Sequence, residues 1–219
     1  MKTHLQAALD LLKKKLLFLS SDVEKNFNLA VRALTERNST LAKEVAQTDH
    51  LIDLYEVEVE EECLKILALH QPVASDLRYI VAALKINNDL ERIADLAVNI
   101  AERALRISAA ADIRPPFDVN AMAGKTRDMV SKALDSLIQL NADGAQWVRR
   151  ADDEVDMMNR EVYEIIFNEI RKTPENLEVL IDYLSVSKHL ERIADYATNI
   201  AEDVLYMIEG QIIRHGKND

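Results

Sequence analysis

One segment of this chain occurs twice, and that constrains the fold more than any other feature. Residues 90–105 read Leu-Glu-Arg-Ile-Ala-Asp-Leu-Ala-Val-Asn-Ile-Ala-Glu-Arg-Ala-Leu, and residues 190–205 read Leu-Glu-Arg-Ile-Ala-Asp-Tyr-Ala-Thr-Asn-Ile-Ala-Glu-Asp-Val-Leu. Twelve of the sixteen positions are identical, where chance would give about one. Upstream, Asp49-His50-Leu51-Ile52-Asp53 returns more faintly as Asp152-Asp153-Glu154-Val155-Asp156, and Ala33-Leu34 returns as Ala133-Leu134. A chain built this way folds as two copies of one unit.

Punctuation divides each copy into three long helical stretches. The first runs from about Leu5 to Glu36. The second, capped by Ser39 or Thr40, ends near His70 ahead of Gln71-Pro72. The third starts between Val73 and Asp76 and reaches towards Ser108. Pro115-Pro116 marks the linker, placed at 111–116 between a first unit, 1–110, and a second, 117–210. There the fourth helix runs to about Asn141, Asp143-Gly144 reads as a turn, and the fifth covers Ala145 to Lys172. Thr173-Pro174-Glu175 reads as cap, first-turn proline and acidic first turn of the sixth, which ends near Gly210 before a polar tail. The expected fold is all-α: two tandem, pseudo-symmetric three-helix bundles. Leu90, Ile93, Ala94, Ala97, Ile100, Ala101 and Leu105 recur at three- and four-residue steps and form the apolar face of the third helix.

Composition agrees and excludes several functions. The 219 residues include four Gly, four Pro and 5% aromatics, with 27 basic against 38 acidic side chains and a net charge of −11. That charge argues against sequence-independent binding to nucleic acid or to anionic lipid. No apolar run approaches the ~18 residues of a membrane span, and Asp10 with Lys13-Lys14-Lys15 interrupts any secretory core. Cys63 stands alone, which fits a reducing compartment. A cytoplasmic location is expected.

The repeated segment also carries chemistry. Glu91 and Asp95, and Glu191 and Asp195, stand four residues apart, one turn apart on one helical face. At about 100° per residue, they lie about 120° from the middle of the apolar face, so they flank the core. Asn99 and Asn199 continue the lines. The second helix bears its own row, Asp49, Asp53, Glu56 and Glu60; the fifth keeps Asp152 and Asp156, with Asn159 in place of Glu56. Like charges at this spacing repel by a few tenths of a kcal/mol per pair. Two compensations are open: structural ion pairs with Arg92 and Arg192, or convergence on a cation. Oxygen-only donors suit magnesium, manganese, calcium or iron better than zinc or copper.

Other motifs are weak. No Glu-x-x-His occurs, so di-iron oxidase chemistry is unsupported. Gly124-Lys125-Thr126 has Val119 where a phosphate loop needs its first glycine. Cys63 reads as a core residue. Of the five histidines, His189 faintly resembles a phosphotransfer site but has Asp89 as its counterpart, and His50 beside Asp49 is the candidate extra ligand.

The doubled Glu-Arg-Ile-Ala-Asp with its Asn-Ile-Ala-Glu continuation, and Pro72-Val-Ala-Ser-Asp76-Leu-Arg78, resemble the PhoU family of phosphate-transport-system regulators. The resemblance spans essentially the whole chain. It implies a fold of two similar three-helix bundles and a non-enzymatic role. It also implies partners, the ATPase of the phosphate ABC transporter and the phosphate-sensing histidine kinase, and a function in restraining uptake and the phosphate-starvation response. The family's metal signature, Glu/Asp-x-x-x-Asp, maps onto Glu91/Asp95 and Glu191/Asp195, with Asp49/Asp53 and Asp152/Asp156 facing them. Iron, manganese or magnesium is the expected ion. The second half has no match to Ser75-Asp76-Leu77-Arg78, so unequal occupancy is expected. A metal store or metal-dependent enzyme is the alternative reading, and pairing into a homodimer is left open.

Overall fold

A computed structural model describes residues 2–110 and 113–210. Six long helices follow one another: α1 (Lys2–Thr35), α2 (Ser39–His70), α3 (Ala74–Ala109), α4 (Val119–Gln139), α5 (Ala142–Lys172) and α6 (Leu177–Glu209). Among the described residues there is no strand. Helices α1–α3 pack as one bundle and α4–α6 as the other. The expected linker begins at residues 111–112, which lie outside the described residues, as does the polar tail, 211–219.

The helix ends correct the sequence reading in three places. Asn38, and neither Ser39 nor Thr40, caps α2; its side chain accepts from the Thr40 and Leu41 amides. Asp143-Gly144 is no turn. Helix α4 stops at Gln139 because Leu140 turns left-handed, Asn141 accepts from the Gly144 amide, and Asp143 and Gly144 sit in the first turn of α5. Thr173 does not cap α6: its hydroxyl donates back to the Glu169 carbonyl, and Pro174–Asn176 forms a 3₁₀ turn before the helix proper. Helix α3 starts at Ala74, within the expected Val73–Asp76, behind Val73, which offers no capping side chain.

The predicted apolar faces are buried. Leu90, Ile93, Ala94, Ala97, Ile100 and Ala101 join the core with their counterparts Leu190, Ile193, Ala194, Ala197, Ile200 and Ala201, while Leu105 stays half-buried. These alanines let neighbouring helices approach closely. Cys63 is fully buried, and burial pushes its thiol up to about 12, so it is an inert core residue. Gly124-Lys125-Thr126 lies inside α4, with Thr126 buried and donating to the Met122 carbonyl.

The two bundles meet chiefly along α3 and α6, the most extensively packed pair of helices. They run antiparallel, because charged pairs tie opposite ends. Arg103 and Arg106, late in α3, hold Asp182 early in α6 at 3.2 and 3.0 Å. Lys85, early in α3, holds Asp203 late in α6 at 2.9 Å.

Candidate metal centre

Burial of the α3 and α6 apolar faces turns their carboxylates towards the flank shared with α2 and α5. In the second half, Asp156, Glu191 and Asp195 each offer an oxygen within 4.8 Å of the other two. Among the described residues this is the one group of three potential ligands so close. Asp152 belongs to the same patch. Its Oδ1 is sealed from solvent without a hydrogen-bond partner. Burial, then the charges of Asp195 and Asp156, push its carboxyl up to about 7, while the Thr198 hydroxyl acts in the opposite direction. Glu191 and Asp195 are raised by the same two causes, burial first, while Arg192 acts against them through its field.

The first half repeats this with one difference. Asp49 is raised by burial, then by Asp53 and Asp95, and His50 acts in the opposite direction. Glu91 is raised by burial and by Asp95, with Glu56 and Asp53 adding to the effect. The charges of Asp53 and Asp95 thus act on both Asp49 and Glu91. Asp49 Oδ1 is sealed and unpartnered, like that of Asp152, its counterpart in the repeat. Here, however, Arg92 lies along the row, 3.4 Å from Glu91 and 3.3 Å from Asp95. Of the two compensations left open by the sequence, the ion pair is therefore seen at Glu91 and Asp95.

A buried hydrogen bond backs each patch. Asn87 donates to the Glu56 carbonyl and carboxylate at 2.9 and 3.1 Å. At the equivalent positions Ser187 donates to Asn159 Oδ1 at 2.7 Å. The change from Glu56 to Asn159 is therefore matched by a change from Asn87 to Ser187 across the same contact. Asn99 is half-buried and Asn199 exposed. His50 is exposed, with Nδ1 2.9 Å from the Gln47 carbonyl.

Lys85, Asn88, Thr198 and Asp203 had no sequence signal. Beside the second patch, α3 of the first bundle closes an open cleft of about 800 Å3 lined by Lys85, Asn88, Asp89, Asp152, Thr198 and Asp203. His189 has both ring nitrogens buried without a partner, and burial lowers its basicity. The meeting of the bundles brings Lys85, Asn88 and Asp89 of α3 to the cleft.

The donor chemistry fits a hard cation. Every candidate ligand in the rows is a carboxylate oxygen, and two of these, Asp49 Oδ1 and Asp152 Oδ1, are sealed without a hydrogen-bond partner. A bound ion would neutralise the row and invert the local field. Asp152, Asp156, Glu191 and Asp195 would hold it in one half, and Asp49, Asp53, Glu91 and Asp95 in the other.

A family model, the PhoU domain, matches twice, at residues 16–104 and 119–204. The chain belongs to the PhoU family. A Thermotoga maritima relative, phosphate-specific transport system accessory protein PhoU homolog 1, is 34% identical over 95% of this chain and 90% of its own. The crystal structure of PhoU from Pseudomonas aeruginosa superposes with a TM-score of 0.91 at 35% identity, covering 94% of this chain and 99% of that one. The phosphate transport system regulatory protein PhoU from Streptococcus pneumoniae gives 0.83 at 25% identity, over 96% and 100%. The relatives are named as accessory and regulatory proteins of the phosphate transport system. No described helix is long and apolar enough to cross a membrane.

Proposed function

We propose that this PhoU-family protein is a cytoplasmic negative regulator of phosphate uptake and of the phosphate-starvation response. In this reading it is a metal-binding adaptor between the phosphate ABC transporter ATPase and the phosphate-sensing histidine kinase. The relatives' description as accessory proteins of the phosphate-specific transport system supports the setting. The observation that carries the metal part is the pair of sealed, unpartnered oxygens on Asp49 and Asp152. A buried polar atom left without a partner costs about 1–3 kcal/mol, and bearing that cost at equivalent positions in both halves is explained by a cation. Iron, manganese or magnesium suits the donors. An adaptor shifts its partners' conformational balance only by binding one state better than the other, and the ion gives the acidic surface a second charge state with which to do so.

Elemental analysis of the purified protein tests the metal reading. Wild type should carry a few ions per chain, and Glu191→Ala/Asp195→Ala should lose those of the second half. Unchanged content in that variant and in Glu91→Ala/Asp95→Ala would defeat it, and dozens of ions per chain would indicate a store. Calorimetry should detect inorganic phosphate binding to the metal-loaded protein and none after chelation, since the bare rows repel an anion. Co-purification of transporter and kinase from cells grown at high and low phosphate tests the adaptor role; recovery of neither partner would overturn it.

A further inference from the structure

The outward faces of α2 and α5 carry a second duplicated pattern, distinct from the carboxylate rows. Leu54, Glu58, Glu61 and Leu64 on α2 correspond to Met157, Glu161, Glu164 and Phe167 on α5 at the same spacing. The four apolar members are 59%, 52%, 54% and 57% exposed, and the glutamates between them are exposed too. Steps of four, three and three keep each set on one helical face, turned away from Ile52, Val59 and Ile66 on α2 and from Val155, Val162 and Ile166 on α5. Single exposed apolar residues need no explanation. Here an apolar–acidic–acidic–apolar stripe recurs at the same register on the solvent side of both copies, where folding asks for polar residues. On α5 the stripe borders an open hollow of about 710 Å3 between Asp153, Met157, Arg160 and Tyr163.

We infer that these two stripes are docking surfaces for a protein partner present in two copies, each presenting apolar pockets rimmed by Lys or Arg. This rests on the adaptor reading above and assigns the face it would use. Charge decides the partner's chemistry. Glu58 is held by Lys15 at 3.3 Å. Glu61, Glu161 and Glu164 stand exposed between the apolar anchors on a chain of net charge −11, so an anionic lipid or nucleic acid is repelled and a basic protein surface is attracted. Duplication decides the number, because related surfaces on one body bind equivalent surfaces of two subunits and gain from effective concentration. The stripes are not identical. Arg160 stands where α2 has Val57, and the Arg171 guanidinium sits 4.4 Å over the Phe167 ring. On α2, Lys15 pairs with Glu58 and Lys65 follows Leu64, so basic side chains border both stripes. Each stripe adjoins the carboxylate row of its own helix, so a partner seated there borders the candidate metal patch.

The test titrates metal-loaded full-length protein with the purified ATPase subunit of the phosphate transporter in an analytical ultracentrifuge. Wild type should bind two copies. Leu54→Ser/Leu64→Ser and Met157→Ser/Phe167→Ser should each leave one copy and weaken binding at least about tenfold, and the four-fold variant should bind none. Raised salt should weaken binding at both stripes. These positions are exposed, and unchanged circular dichroism, melting temperature and metal content show that the fold is kept. A complex that forms equally well in every variant overturns the stripes and leaves the adaptor reading standing; no complex with wild type overturns both. Self-association of the wild type abolished by the same substitutions would assign the stripes to a second copy of this chain and overturn the inference.

Discussion

At the residue scale, the side chain under most electrostatic stress is Asp152. Its carboxyl is held up at about 7 by burial and by Asp195 and Asp156, against an unfolded value of about 3.9. A carboxyl raised on folding supplies stability below its unfolded value, and that stability is lost as pH climbs through the folded value. Metal-free protein should therefore lose Asp152's contribution between about pH 4 and about pH 7. Asp152→Asn removes the charge and keeps the shape. After chelation the variant should melt above wild type at pH 8, and the gap should close at pH 4. Equal melting at pH 8 would contradict the crowding. Adding metal should reverse the order, because the ion needs the ionised form.

At the element scale, Gly144 shows why a glycine can mislead. Read along the sequence, Asp143-Gly144 looks like a turn; in the fold it belongs to the first turn of α5. A Cβ at Gly144 would fall on the Ser136 hydroxyl oxygen of α4. That hydroxyl is fixed, since it is buried and donates to the Lys132 carbonyl at 2.7 Å. The glycine serves close approach of two helices and not chain reversal. Gly144→Ala should cost about 1–3 kcal/mol, seen as a lower urea midpoint. Ser136→Ala in the same chain should restore part of the loss, because it removes the clashing oxygen. Additive losses would show that the cost lies in the α5 backbone.

At the scale of the whole molecule, the two bundles are held by the antiparallel α3–α6 seam with a charged pair towards each end. Asp182 is buried and receives both Arg103 and Arg106. Burial raises its carboxyl while Arg106 draws it back, so the pair is strained but satisfied. Asp182→Asn should cost about 1–3 kcal/mol, at the low end because both guanidiniums keep access to water. Amide exchange should then speed up in the second half of α3 and the first turns of α6 and stay unchanged in α2 and α5. Uniform acceleration would mean that the pair stabilises the fold globally and not the seam.

Much of this protein follows from local rules. The repeat, the 3.6-residue apolar period and the proline and glycine punctuation determine six helices and two bundles, because side-chain faces on a helix depend on spacing alone. The placement of Glu91, Asp95, Glu191 and Asp195 beside the core follows in the same way. Caps were less legible: Asn38 and Asn141 compete with neighbouring Ser39 and Asp143, and the backbone angles that choose between them are set by packing. Tertiary structure alone decided what the carboxylates meet. Identical Glu-Arg-Ile-Ala-Asp segments end differently, with Arg92 along its row and Asp156, Glu191 and Asp195 converging in the other half. The cleft holding Lys85 and Asp203 exists because α3 crosses from the other bundle. Contacts between elements distant in sequence depend on how whole helices pack, and no spacing along one helix encodes them.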